Sequence, residues 1–105
     1  MKTTGQILRG KRKELGLLLR QVSAFVDIDQ AILSKIERNE RKPTKEILIK
    51  LAKVLKLDED ELLLQFISDK IAYEIANENC PDKVLRLTEK KIVYLNSHSK
   101  TKYNE

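Results

Sequence analysis

The chain has 105 residues and carries 21 Lys and Arg against 16 Asp and Glu, a formal net charge of +5; that length allows one compact domain with an appendage and excludes two independent cores. Three glycines, two prolines and no tryptophan, with Leu, Ile, Lys and Glu dominant, describe helices rather than a sandwich or barrel. A single cysteine, Cys80, and a single histidine, His98, exclude an internal disulfide and leave no metal or cofactor to expect.

The opening Met1-Lys2-Thr3-Thr4-Gly5-Gln6 lacks the apolar stretch of a secretion signal, and no apolar run reaches the roughly 20 residues that span a bilayer. The expectation is a cytoplasmic protein with no membrane role. Ile7, Leu8 and Leu15 sit at helical spacing before Gly16, a natural stop, and predict a first helix over about 4–15. Leu19, Val22, Phe25 and Val26 mark a short second helix, which Asp27-Ile28-Asp29 interrupts; Asp29 is a good N-cap for the next helix. The third helix runs from Gln30 to about Arg38, with Leu33, Ile36 and, at the margin, Ile32 facing inward; Asn39-Glu40-Arg41-Lys42-Pro43 ends it.

Thr44 caps a fourth helix whose stripe of Ile47, Leu48, Leu51, Ala52 and Leu55 is core. Asp58, followed three residues later by Glu61, reads as a capping box that opens a long fifth helix through Leu62, Leu63, Phe66, Ile67, Ile71 and Ile75. Pro81 disfavours helical geometry at Cys80, so this helix should end near Asn79. A sixth helix, about 81–95, carries Val84, Leu85, Leu87, Ile92, Val93 and Leu95; the tail from Asn96 to Glu105 is polar and expected to fray.

The positive charge is uneven. Residues 1–42 hold ten Lys and Arg against five Asp and Glu, whereas 43–67 sum to −1 and 68–105 to +1. Localised positive charge is what a phosphate-binding surface needs, because neutralising phosphates releases condensed counterions; a merely solvated face would carry the same signal.

Arg12, Leu15-Gly16-Leu17, Val22, Ile28, Ser34, Ile36-Glu37, Pro43-Thr44, Leu51-Ala52, Leu55 and Glu61-Leu62 stand in one ordered register over about 8–63. In that set the chain resembles the lambda-repressor-like, or xenobiotic-response-element type, helix-turn-helix family of transcriptional regulators. The resemblance implies an all-α fold with a five-helix DNA-binding domain over 1–67 and, beyond it, a C-terminal helical extension over 68–105. It also implies that Arg12 pairs structurally with Glu37. The chain departs from the family in having Leu18 and Leu19 where a polar N-cap and Gln are usual, and Asp27 where Gly is usual. Leu19 cannot bond a phosphate, so Arg20 or Gln21 at the start of the second helix is expected to replace that contact.

In this motif the third helix enters the major groove of double-stranded DNA while the second braces on the backbone. At about 100° per residue from Gln30, Ser34 falls near 40°, Arg38 near 80°, Ala31 near 100° and Lys35 near 140°, opposite Leu33 and Ile36. Gln30 suits a bidentate bond to adenine, Lys35 a bond to guanine O6 and N7, and Ala31 the methyl of thymine. Ser34 is small enough for close approach, and Arg38, Arg41 and Lys42 suit the flanking phosphates.

One helix reading a few base pairs binds weakly, so a homodimer on a palindromic operator is expected. Helices five and six carry more apolar residues than a completed core requires, which makes Leu63, Phe66, Ile67, Ile71, Ile75, Leu85, Ile92 and Leu95 candidates for its interface. A sixth helix folded back on the fifth would use the same residues. A partner protein, as for an antitoxin or a restriction-modification controller, is the alternative role for this region. No nucleophile–base set, glycine-rich phosphate loop or paired-carboxylate site is present, and Asp58 to Glu61 suit a helix start, so no enzyme is expected.

Overall fold

Thr3 begins the first helix by accepting a hydrogen bond from the Gln6 backbone at 3.3 Å, while the Gln6 side chain accepts from the Thr3 backbone at 2.9 Å. The computed structural model describes residues 1–103, with side chains to His98. Its order is α1 (Thr4–Glu14), α2 (Leu19–Val26), α3 (Gln30–Glu37), α4 (Lys45–Leu55), α5 (Glu59–Ile75) and α6 (Pro81–Tyr103), with no strand among the described residues. The chain divides into two compact units, Met1–Lys70 and the segment from Ile71 onward, with the division falling inside α5. No described helix is long and apolar enough to cross a membrane.

The core of the first unit is built at period 3.6 from every helix within it. Leu8 of α1, Val22 and Val26 of α2, Leu33 and Ile36 of α3, Leu48, Leu51, Ala52 and Leu55 of α4, and Leu62 and Phe66 of α5 form one buried cluster. Burying each of the larger side chains contributes about 1.5–3 kcal/mol, so this cluster carries the fold. Ile7, Leu15, Leu19, Ile28, Ile32, Ile47 and Leu63 pack against it partly buried. Phe25 does not join them: it is 70% exposed, because its place on α2 lies off the arc shared by Val22 and Val26.

The start of α1 is tied down from far along the chain. A helix leaves its first four backbone N–H groups without intrahelical partners. Here the Thr4 N–H donates to Asp69 Oδ2 at 2.8 Å, that of Gly5 to Asn39 Oδ1 at 3.2 Å, and that of Gln6 to Thr3 Oγ1. The Thr4 hydroxyl also donates to Asp69 Oδ2 at 2.8 Å, and Gln65 Nε2 donates to both the Lys2 carbonyl and Asp69 Oδ1. Gly5 permits this approach: a Cβ there would stand 2.5 Å from the Ile36 carbonyl and 2.6 Å from that of Glu37.

Thr44 and Asp58 cap α4 and α5 by accepting from the backbones of Ile47 and Glu61 at 3.2 and 2.9 Å. Two ends differ from the expectation. Helix α5 stops at Ile75 rather than near Asn79, with a tight Glu78 N–H to Ile75 carbonyl bond and Cys80 at φ 56° leading into Pro81. Helix α6 continues to Tyr103, past the expected end near Leu95. No Gly or Pro interrupts it, the Ser97 hydroxyl donates to the Val93 carbonyl at 3.1 Å, and the rings of Tyr94 and His98 stack 4.0 Å apart one turn along. The last two residues of the expected tail lie outside the described residues.

The second unit has no buried residue among those described from 71 to 98; only Ile75 and Thr88 are even half-buried. Val84, Leu85, Leu87, Ile92, Val93, Tyr94 and Leu95 are all exposed.

Candidate nucleic-acid interface

The turn between α2 and α3 is made by a residue in the left-handed region. Asp27 closes α2 at φ 56°, ψ 48°, a conformation that Asp reaches at modest cost, and the Ile28 N–H returns to the Ser23 carbonyl at 3.1 Å. Half-buried Ile28 anchors the turn to the core. Asp29 then accepts from the Ala31 backbone at 2.8 Å and starts α3 at Gln30.

Within α3, Leu33 and Ile36 are buried, while Gln30, Ala31 and Lys35 are exposed and Ser34 is half-buried. The helix therefore presents one continuous solvent face of small and polar side chains, rimmed by exposed Arg38, Arg41 and Lys42. Across the turn, Arg20 and Gln21 stand exposed on the first turn of α2. Gln21 Oε1 accepts from the Leu18 backbone at 2.8 Å, which spends its carbonyl on the helix start and leaves its NH2 donors outward. The Leu18 side chain has no acceptor of its own, and the Gln21 N–H goes instead to the Leu18 carbonyl at 3.0 Å.

Arg12 and Glu37 hold α3 from behind its exposed face. Arg12 Nε donates to Glu37 Oε2 at 2.8 Å and Nη2 to Oε1 at 3.1 Å, a bidentate pair whose side chains are 10% and 5% exposed. Arg12 Nη1 donates to the Leu17 carbonyl at 2.9 Å, so one guanidinium ties α1 to the end of α3 and to the loop before α2.

Two neighbours of the face have no counterpart among the residues expected from sequence. Asn39, at φ 61°, links the end of α3 to α1 through its bond to Gly5 and through Nδ2, which donates to Thr3 Oγ1 at 2.7 Å. Glu40 takes Arg38 Nη2 on Oε2 at 3.0 Å, and Arg38 Nη1 donates to Ser34 Oγ at 2.8 Å. The only signal for either is local: an Asn after a helix end, which tolerates the left-handed region, and a carboxylate two residues beyond an arginine.

The helix-turn-helix family model matches residues 8–62, just over half of the chain. The chain belongs to the lambda-repressor-like helix-turn-helix family of DNA-binding transcriptional regulators. Members of that family bind rather than catalyse, and this protein is not an enzyme. Three solved structures are similar to this lambda-repressor-like chain. The P22 c2 repressor, solved with a synthetic operator, is 29% identical with a TM-score of 0.56, over 59% of this chain and 94% of that one. The biofilm master regulator SinR, solved with DNA, is 32% identical with a TM-score of 0.54, over 58% and 98%. A hypothetical protein from E. coli is 25% identical with a TM-score of 0.64, over 80% and 86%. No curated protein matches the chain.

Proposed function

We propose that the protein regulates transcription as a homodimer that reads a palindromic operator, each protomer placing α3 in the major groove. The observation that carries this reading is the clean division of α3. Leu33 and Ile36 are spent on the core, and Gln30, Ala31, Ser34 and Lys35 are left to face base edges in a groove about 12 Å wide. Gln30 recognises adenine and Lys35 guanine, while Arg20, Gln21, Arg38, Arg41 and Lys42 take phosphates that set the register.

We assign the dimer interface mainly to the second unit. A helical segment with no buried residue among those described gains little from packing, and a second copy would cover its apolar side chains. Ile71, Leu85, Ile92 and Leu95 are exposed and suited to that role, as is Ile67 in the first unit, with Ile75 half-buried. Phe66 is 7% exposed and Leu63 packs against the core, so neither offers much surface. Leu87, Val93 and Tyr94 add exposed area beyond these residues. That excess favours a second reading, in which a partner protein binds here as for an antitoxin or a restriction-modification controller.

Selection of random duplexes on the purified chain, with light scattering on the same sample, tests the proposal. The expected result is a dimer and a palindromic consensus bound more than about 10³-fold better than unrelated sequence. A monomer with no consensus refutes it, and a stoichiometric second protein retained from the native host selects the second reading.

A further inference from the structure

Five cations are assigned to the DNA-facing surface, and among the described residues four of them, Arg20, Lys35, Arg41 and Lys42, have no hydrogen-bond or ion-pair partner for their side chains. Arg38 alone is engaged, by Glu40 on one side and Ser34 on the other. The arrangement is built from the backbone outward. The Glu40 N–H donates to the Lys35 carbonyl at 2.8 Å and the Asn39 N–H to the Ile36 carbonyl at 3.1 Å, the paired bonds of a Schellman helix end. Asn39 is in turn bolted to Thr3 and Gly5 of the α1 start. The carboxylate of Glu40 thus projects from an immobilised residue.

Helix stability does not explain a carboxylate at that point. The C-terminus of a helix carries partial negative charge, which favours Arg38 and disfavours Glu40. With side chains 51% and 54% exposed, the pair is a surface ion pair, which adds little to folding. What the carboxylate does change is the charge offered to a duplex. Any phosphate that approaches Arg38 must displace Glu40 or be repelled by it.

We propose that Glu40 is a specificity-determining residue that withholds Arg38 from indiscriminate phosphate binding and holds it against Ser34. The inference rests on α3 being the groove-facing helix. With a lone pair of Ser34 Oγ occupied by Arg38, the serine hydroxyl turns its proton outward and acts as a donor toward a base acceptor such as guanine O6 or N7, adenine N7 or thymine O4. One carboxylate so trims the sequence-independent part of binding and orients a base contact.

The test is binding of the full chain to its selected duplex and to an unrelated one, from 50 to 200 mM salt, for wild type, Glu40→Gln and Glu40→Ala. Gln keeps an oxygen for Arg38 and removes only the charge. Glu40→Gln should bind the unrelated duplex more tightly at low salt, with a log–log salt slope steeper by about 0.9, so that its advantage over wild type shrinks about 3.5-fold across that range. The selected duplex should gain less, lowering the specificity ratio, and Glu40→Ala should lower it further because Ser34 loses its orientation. Thermal midpoints should match wild type in both variants. Unchanged slopes and ratios, in a wild type that binds duplex with strong salt dependence, overturn the role of Glu40. A wild type that binds no duplex overturns the underlying reading of α3 as well.

Discussion

Replacing Arg12 with methionine strips Glu37 of both of its guanidinium bonds and leaves a carboxylate that is only 5% exposed. Breaking a buried pair from one side costs about 3–5 kcal/mol, because the remaining charge is uncompensated. A unit of 70 residues holds in total about 3.5–10 kcal/mol at 0.05–0.15 kcal/mol per residue. Arg12→Met should therefore bring the first unit close to unfolding at room temperature, lowering its thermal midpoint by about 15–30 °C. Glu37→Leu added to it removes the stranded charge. The double variant should recover to within about 1–3 kcal/mol of wild type, the remainder reflecting the Leu17 carbonyl, which has lost its donor. Urea unfolding of wild type, both singles and the double, followed by circular dichroism, closes the cycle. A cost below about 1 kcal/mol for Arg12→Met, or a double variant equal to the sum of the singles, would refute the claim that this pair locks α1 to α3.

Gly5→Ala should destabilise the first unit by about 1–3 kcal/mol in the same assay, since its Cβ would meet two backbone carbonyls that cannot retreat. Gly10→Ala, where a Cβ meets nothing within 4 Å in the middle of α1, should instead stabilise by up to about 1 kcal/mol. Asp29→Ala removes the cap on the Ala31 N–H and should cost about 0.5–2 kcal/mol, with faster hydrogen exchange confined to the first turn of α3. Lys35→Ala should relax base preference at one operator position at a cost of about 1–3 kcal/mol, whereas Arg41→Ala should weaken all duplexes alike; equal losses from both would remove Lys35 from the base-reading set.

The parts of this architecture legible in the sequence are those set by neighbours a few residues apart. Asp29 and Thr44 announce helix starts because a short acceptor side chain bonds the next turn, and the 3.6 period separates Leu33 and Ile36 from Gln30 and Lys35 without knowledge of anything else. Phe25 shows where that logic stops: counted among the apolar residues that mark α2, it is 70% exposed, because spacing alone does not say how far around the helix its neighbours reach. The bonds from Asp69 to Thr4 and from Asn39 to Gly5 span 65 and 34 residues, and no local rule selects those partners. The length of α6 is hidden because polar composition resembles that of a frayed tail, although Val93 to Ser97 and Tyr94 to His98 are contacts that a polar helix makes with itself.

The Asp69 carboxylate at the head of α1 also has a bearing on synthesis. Translation proceeds from the N-terminus, so the first helix emerges some 65 residues before the group that completes its leading turn. Until Leu62 and Phe66 have been added, the cluster around Leu8 lacks one wall, and until Asp69 has cleared the ribosome the Thr4 amide must bond water. The nascent chain therefore exposes apolar surface through most of its elongation, and the last residues of the unit to be made are those that shut it.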